Sequence, residues 1–404
     1  MWSDIRLRFL SELAKRLHQY GTTTTRLEAS VESLSHKLGI DTQIWSSPTG
    51  ILLSFRDTHP EAPEQRVSEV LRLSPGETNL RRLVDTDEVA DKVFRGRMSV
   101  ADGYVSLRDI QPDSVKFKST IAGFGFAAAS IAAVLKARPT DIVAAALIGA
   151  LTGILLIASK RHANLRPGLE ALAAFLSTLL ATLASAYIIP LSLPSVTLAA
   201  IVVFLPGLTL ATAVSELSSQ HLVAGVARFA GAMTILLKLT FGAVAGSEVA
   251  KVLQVPITPV PVSDSPVWVE GLALLCGALS YALLLRPHKR HRWVVMGAAV
   301  LGYTAARLGG EAFGPQFGVF FAGMVVAAAS NLFARVKNKP SALVRTPGIL
   351  LLVPGSVGFR TLFFVFEGQL QQGIDTGSAL MVLLTTLVAG LLFGDLLVPP
   401  RRNL

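Results

Sequence analysis

The chain has 404 residues, 51% of them hydrophobic and only 16% charged, whereas a soluble domain carries roughly 25% charged residues. That composition excludes a protein that is water-soluble along its whole length. The formal net charge of +10 could suggest a nucleic-acid partner, but the surplus cations fall in short breaks between apolar runs and form no basic stripe with interleaved aromatics, which argues against one.

Charged residues are dense up to about residue 118 and sparse after it, which marks two solvents, water and then lipid. The first stretch, Met1 to Tyr20, is amphipathic and charged, unlike the short apolar core of a secretory signal, so the first domain is expected in the cytoplasm. Ile5, Phe9, Leu13 and Leu17 recur at one-turn spacing and predict a helix that Gly21 ends. A second helix is predicted from Thr25-Arg26-Leu27-Glu28, which has capping-box spacing, with Leu27, Val31, Leu34 and Leu38 as its apolar stripe. Thr42–Trp45 and Ile51–Phe55 flank a turn-forming Ser-Ser-Pro-Thr-Gly and predict a hairpin, to which Arg66–Leu73 adds a third strand. Asn79–Phe94 and Ser99–Leu107 are predicted helices, the second opened by Ser99 and Asp102 at capping-box spacing. The first domain is therefore expected to be small and α+β.

This domain holds none of the metalloprotease, serine-hydrolase, phosphate-loop or dinucleotide motifs. His18, His36 and His59 are not at ligand spacing, and the Thr22–Thr25 hydroxyls suit a helix N-terminus. No catalytic residue, metal ligand or cofactor is expected. Cys276 is the single cysteine, which rules out a disulfide within the chain.

About ten spans are predicted, near 119–137, 140–159, 168–189, 193–214, 221–246, 266–285, 293–309, 314–334, 343–366 and 376–398, each close to the roughly 20 residues that cross a bilayer. Gly and Ala are abundant in them and allow close helix packing, with Gly149 and Gly153 as one GxxxG pair. With the N-terminus inside, the inner loops and the tail hold Lys160, Arg161, Arg166, Arg286, Lys289, Arg290, Arg292, Arg335, Lys337, Lys339, Arg345, Arg401 and Arg402. The outer side holds Lys136, Arg138, Lys251 and Arg307. This bias predicts both termini inside and an even number of spans. A Pro-rich loop at about 247–265 (Pro256, Pro259, Pro261) separates the halves.

Span four contains Pro206-Gly207 and span nine Pro354-Gly355, each mid-span and each in the fourth span of a five-span half. An odd number of spans inverts the second half, as in transporters built from inverted repeats. Proline removes a backbone donor and glycine loosens the helix, so the freed groups at such breaks become a substrate or ion site. Thr209 and Ser356 lie just beyond the breaks and join the predicted translocation site. Ionisable residues within membrane spans usually face a cavity. Arg228 and Lys238 in span five, and Arg360 just past the second break, are candidate substrate partners, the arginines suiting a carboxylate. Glu216, Glu367 and Asp395 are candidate coupling carboxylates. Glu216 and Glu367, like Asp375, lie near span ends, where plain solvation competes with function.

Several stretches carry a resemblance. They are Gly21-Thr22-Thr23-Thr24-Thr25-Arg26-Leu27-Glu28; Arg161-His162 with Asn164; Gly225-Val226-Ala227-Arg228; Asn331-Leu332-Phe333-Ala334-Arg335 ahead of Pro340; and, most specific, Pro347-Gly348-Ile349-Leu350-Leu351-Leu352-Val353-Pro354-Gly355-Ser356. Over nearly its whole length the chain resembles the bacterial threonine/serine exporter family, which is related to fungal pheromone-regulated membrane proteins. The resemblance implies efflux of threonine and serine driven by the proton gradient. Relatives split into two chains imply an alternative, export of dicarboxylates such as succinate; a third is a membrane sensor or enzyme acting through the first domain. A hydrolase-like role suggested for that domain in the family finds no nucleophile–base motif here.

The combined expectation is an all-α membrane protein with a small soluble α+β N-terminal domain (1–118) and two five-helix transmembrane halves (119–247 and 265–404) as an inverted repeat. It is expected in the inner membrane, exporting small amino acids against protons, with no cofactor and with a homodimer open to it.

Overall fold

The computed structural model describes residues 4–59, 66–110, 116–256 and 267–400. Pro259, Pro261, Arg401 and Arg402 of the sequence reading lie outside them.

The N-terminal domain forms as the hydrophobic periods dictate. Helix α1 (Ile5–Gln19) is capped by Asp4, whose carboxylate accepts the Arg6 N–H at 2.9 Å. Helix α2 (Thr24–Lys37) is followed by β1 (Ile40–Ser47), β2 (Gly50–Asp57) and β3 (Val67–Arg72). The three strands pair antiparallel in the order β1-β2-β3, and Ser47 opposite Gly50 leaves Pro48-Thr49 as the turn. Helices α3 (Leu80–Phe94) and α4 (Val100–Asp109) start where Asn79 and Ser99 accept the N–H groups of Arg82 and Asp102, both at 3.1 Å. Phe9, Leu13, Leu27, Leu34, Ile51, Leu53, Phe55 and Leu107 meet in one core. The helix expected from Thr25 starts at Thr24, and its capping box does not form: α2 has no side-chain cap of its own.

The remainder is helical: α5 (Phe117–Val134), α6 (Pro139–Arg161), α7 (Leu169–Tyr187), α8 (Leu193–Ala200), α9 (Gly207–Ser218), α10 (Leu222–Val252), α11 (Val267–Leu284), α12 (Arg292–Phe313), α13 (Pro315–Lys337), α14 (Ala342–Leu350), α15 (Gly355–Phe366) and α16 (Leu370–Leu397). Among the described residues, 7 segments are long and apolar enough to cross a membrane, with α14 and α15 as one of them, or 8 if α8 and α9, bent by 52°, form one span. The sequence predicts about ten. Within α11 the apolar helix Trp268–Leu284 is shorter than that standard, and α12 carries Arg292, Arg307 and Glu311. The Pro-rich connection also starts later than 247, because α10 continues through Val252.

Small residues let these helices touch backbone to backbone, as lipid-embedded packing requires. A Cβ on Gly242 of α10 would stand 2.1 Å from the Ala171 carbonyl oxygen of α7, and one on Gly390 of α16 2.1 Å from that of Phe320 of α13. Gly149 and Gly153 of α6 meet Ala128 and Phe124 of α5. One face of the membrane part receives the N-terminal domain. Lys160 in the last turn of α6, Glu216 in the last turn of α9, His288 in the α11–α12 turn and Lys339 before α14 all contact it, through Glu77, Thr24, Asp85 and Glu88 respectively.

Candidate functional site

Both Pro-Gly pairs break their helices in the same way. Pro206 (φ −80°, ψ 39°) precedes α9 and Pro354 (φ −81°, ψ 44°) precedes α15, and each of these helices is 12 residues long. Proline has no N–H to give to the preceding turn, so the helix stops and restarts with proline as its cap. The two breaks touch: a Cβ on Gly355 would lie 3.0 Å from the Gly207 Cα and 3.1 Å from its nitrogen. All four residues are buried, with Thr209 and Ser356 half-buried beside them.

A cavity of about 440 Å³ lies between α9, α14 and the N-terminal domain; Leu208, next to the first break, lines it, while Pro206, Gly207, Thr209, Pro354, Gly355 and Ser356 do not. Leu208, Ala211, Thr212, Ser215, Glu216 and Ser219 supply one helical stripe of α9, and Ala342, Arg345, Thr346 and Ile349 the facing stripe of α14. Asn331 of α13 and Asp395 of α16 close one side, and Gly21, Thr22, Thr23, Thr25 and Arg26 form the soluble-domain wall. Hydroxyls and matched charges thus line a space large enough for a small molecule.

Two polar clusters frame it. Glu216 is 1% exposed. One of its oxygens accepts the Thr24 N–H at 3.0 Å, and the other accepts Arg228 Nε at 2.8 Å. The carboxylate therefore caps α2 from a different part of the chain, where the helix dipole favours negative charge. Asp395 accepts both terminal nitrogens of Arg345, at 2.9 and 3.0 Å, and the Asn331 amide at 2.7 Å. Asn331 also donates to the Val398 carbonyl at 2.7 Å. The other cations on the wall are partnered as well: Arg26 with Asp87 at 3.0 Å, and Lys339 with Glu88 at 3.1 Å. The Lys339 ammonium, through its hydrogen bond, holds the Glu88 carboxyl below the usual glutamate range.

The ThrE family model of threonine/serine exporters matches residues 8–250. A second, described as "Threonine/Serine exporter, ThrE", matches residues 270–397. The chain belongs to the threonine/serine exporter family. It is 25% identical over 390 residues to an uncharacterized protein of Schizosaccharomyces pombe, covering 92% of this chain and 45% of that one. It is 24% identical over 371 residues to pheromone-regulated membrane protein 10 of Zygosaccharomyces rouxii (88% of this chain, 37% of the relative). Against the protein of that name from Saccharomyces cerevisiae it is 25% identical over 365 residues (87% and 46%). The chain thus spans less than half the length of these curated relatives. No solved structure matches it. This is a multi-pass membrane protein of an exporter family.

Within this exporter-family chain the sequence-predicted residues separate into groups. Pro206, Gly207, Pro354 and Gly355 come together. Glu216 and Arg228 pair with each other, which corrects the expectation that Glu216 is merely solvated: the soluble domain covers it. Asp395 lines the cavity. Lys238 turns to Glu170 at 3.5 Å, away from this cavity's lining. Arg360 and Glu367 are exposed, Arg360 lying over the Phe364 ring at 5.8 Å. Three contributors escaped the sequence reading. Arg345 looked like one more loop cation, Asn331 was noted only within a motif, and the Thr22–Thr25 run was taken as a helix start. The crowding of that run beside Arg26 and Glu28 was the available signal.

Proposed function

We propose that the protein exports small zwitterionic amino acids, threonine and serine foremost, from the cytoplasm. The observation that carries this reading is the cavity between α9, α14 and the N-terminal domain, lined by hydroxyls and by cations that each already face a carboxylate. A zwitterion inserted between Arg345 and Asp395 gives its carboxylate to the guanidinium and its ammonium to the aspartate. Every charge then stays paired, which avoids the cost of burying an unpaired ion. A dicarboxylate entering the same place separates the pair and leaves Asp395 facing like charge. The side chains of threonine and serine match Thr212, Ser215 and Thr346 as hydrogen-bond partners.

On this reading the two halves act as inverted five-span repeats that rock about the Gly207–Gly355 contact. The identical backbone conformations at Pro206 and Pro354 and the equal lengths of α9 and α15 support it. Both termini lie in the cytoplasm, as the distribution of loop cations favours. Protons moving inward drive the cycle.

Counterflow in proteoliposomes tests the substrate assignment. Threonine loaded inside should accelerate entry of labelled threonine, unlabelled serine should compete, and succinate should not. Asp395→Asn and Arg345→Gln should each cut exchange by at least about tenfold, the equivalent of one charge-assisted hydrogen bond, at unchanged membrane abundance. Succinate outcompeting threonine would overturn the assignment.

A further inference from the structure

Besides the Lys160–Glu77 pair, the N-terminal domain meets the membrane part through contacts of opposite chemistry on its α2 and α3 sides. On the α3 side the contact is apolar. Leu80 and Val84 share a core with Tyr281, Leu285, Val295 and Leu343, and the Leu80 N–H donates to the Leu285 carbonyl at 3.0 Å. Asp85 to His288 at 2.7 Å and Glu88 to Lys339 at 3.1 Å surround that core. On the α2 side the contact is polar. The Thr24 N–H reaches Glu216, the Thr25 hydroxyl meets His221 Nδ1 at 3.5 Å, and Glu28 meets His221 Nε2 at 3.2 Å. The cavity lies between them, walled by the residues that lead into α2.

Apolar burial is lost only at the full cost of re-exposing surface to water. The polar contact exchanges more cheaply. If α2 withdraws, its N-terminal N–H groups gain water, while Glu216 keeps Arg228 and is not left as a buried unpaired charge. Glu216 is thus held permanently by one partner and reversibly by the other. α2, lacking a side-chain cap of its own, is completed only in the docked position.

We propose that the N-terminal domain is the gate on its side of the cavity, hinged at α3 and latched by the Glu216 carboxylate at the N-terminus of α2. The substrate enters when α2 lifts away and is enclosed when the latch re-forms. This rests on the cavity being the substrate path, so its test reads access to the cavity and not transport.

The full chain carrying Cys276→Ser and the reporter Thr212→Cys is placed in vesicles with the N-terminal domain outward. The rate of modification by a membrane-impermeant maleimide is then followed. Glu216→Gln should raise that rate by about fivefold, the ratio between a charge-assisted and a neutral hydrogen bond. Thr25→His sets a second imidazole beside His221, and Ni²⁺ bridging the two should suppress labelling until a chelator is added. Asp85→His beside His288 makes the equivalent bridge at the hinge, where Ni²⁺ should leave the rate unchanged. Labelling that ignores both Glu216→Gln and the bridged latch would overturn the gate, and equal suppression at both bridges would overturn the hinge. Threonine efflux from the same strains reports separately on transport.

Discussion

The Glu216–Arg228 pair yields a sharp thermodynamic test, because its members are buried unequally. The Glu216 side chain is 2% exposed and that of Arg228 19%. Arg228→Ala leaves a carboxylate inside the protein with only the Thr24 N–H as partner. Removing one member of a buried pair costs about 3–5 kcal/mol, and the surviving N–H places this case near 3 kcal/mol. Glu216→Ala leaves a guanidinium that reaches water, so its main loss is the cap of α2, about 1–2 kcal/mol. In the double variant neither charge remains, and only the cap is missing. Glu216→Ala/Arg228→Ala should therefore be more stable than Arg228→Ala alone by about 1–2 kcal/mol. At roughly 2–4 °C per kcal/mol for a larger domain, Arg228→Ala should lower the melting temperature by about 6–12 °C, and the double variant by about half of that. Intrinsic fluorescence of the purified protein on heating reads all three. Additive losses, with the double variant the least stable, would refute the pairing. An unchanged melting temperature in Arg228→Ala would refute it as well.

Three further outcomes follow from the packing and the buried histidine. Gly355→Ala should destabilise more than Gly207→Ala in the same melting assay, by about 1–3 kcal/mol as for other overpacked sites: the Gly355 Cβ meets backbone at 3.0 Å, the Gly207 Cβ a movable valine methyl at 3.0 Å. Gly242→Leu should remove monodisperse protein from size-exclusion profiles, since even its Cβ would stand 2.1 Å from the Ala171 carbonyl oxygen. Burial, with a smaller contribution from the positive Arg228, holds the His18 imidazole below its ordinary value of 6.5. The unfolded chain then binds the proton first, so the domain's stability is intact above 6.5 and falls as pH drops from there towards the lowered value. Hydrogen exchange of α1 should accelerate between about pH 7.5 and 5.5 beyond the intrinsic rate change, and His18→Gln should flatten that dependence.

The local features were readable because their causes are local. Asn79 and Ser99 cap helices through N–H groups three residues on, Pro48-Thr49 sits between two alternating runs, and Pro206 and Pro354 each remove a backbone donor next to a glycine.

What escaped prediction depends on partners far apart in the chain. Thr25 and Glu28 have capping-box spacing, yet Glu28 instead accepts the Ser46 N–H at 2.7 Å and faces His221, so α2 takes its cap from Glu216 on α9. Glu216 itself stands near a span end, where sequence alone implies water; only the docked domain makes that position dry. Arg345 has the same explanation in reverse. Counted as a loop cation it serves orientation, but the turn into α14 carries it back to Asp395 near the end of α16. In both cases the charge pattern identified the residue as ionisable, and folding decided what it was paired with. Paired carboxylates that line one cavity from α9 and α16 have no spacing rule that a linear reading can recognise. The most informative stretch was one whose density of hydroxyls and charges exceeded what a helix start needs. Four successive threonines followed by Arg-Leu-Glu supply an N–H to Glu216 and a hydroxyl and a carboxylate to His221 across to the membrane part, while Arg26 and Glu28 also tie α2 to Asp87 and Ser46 within its own domain.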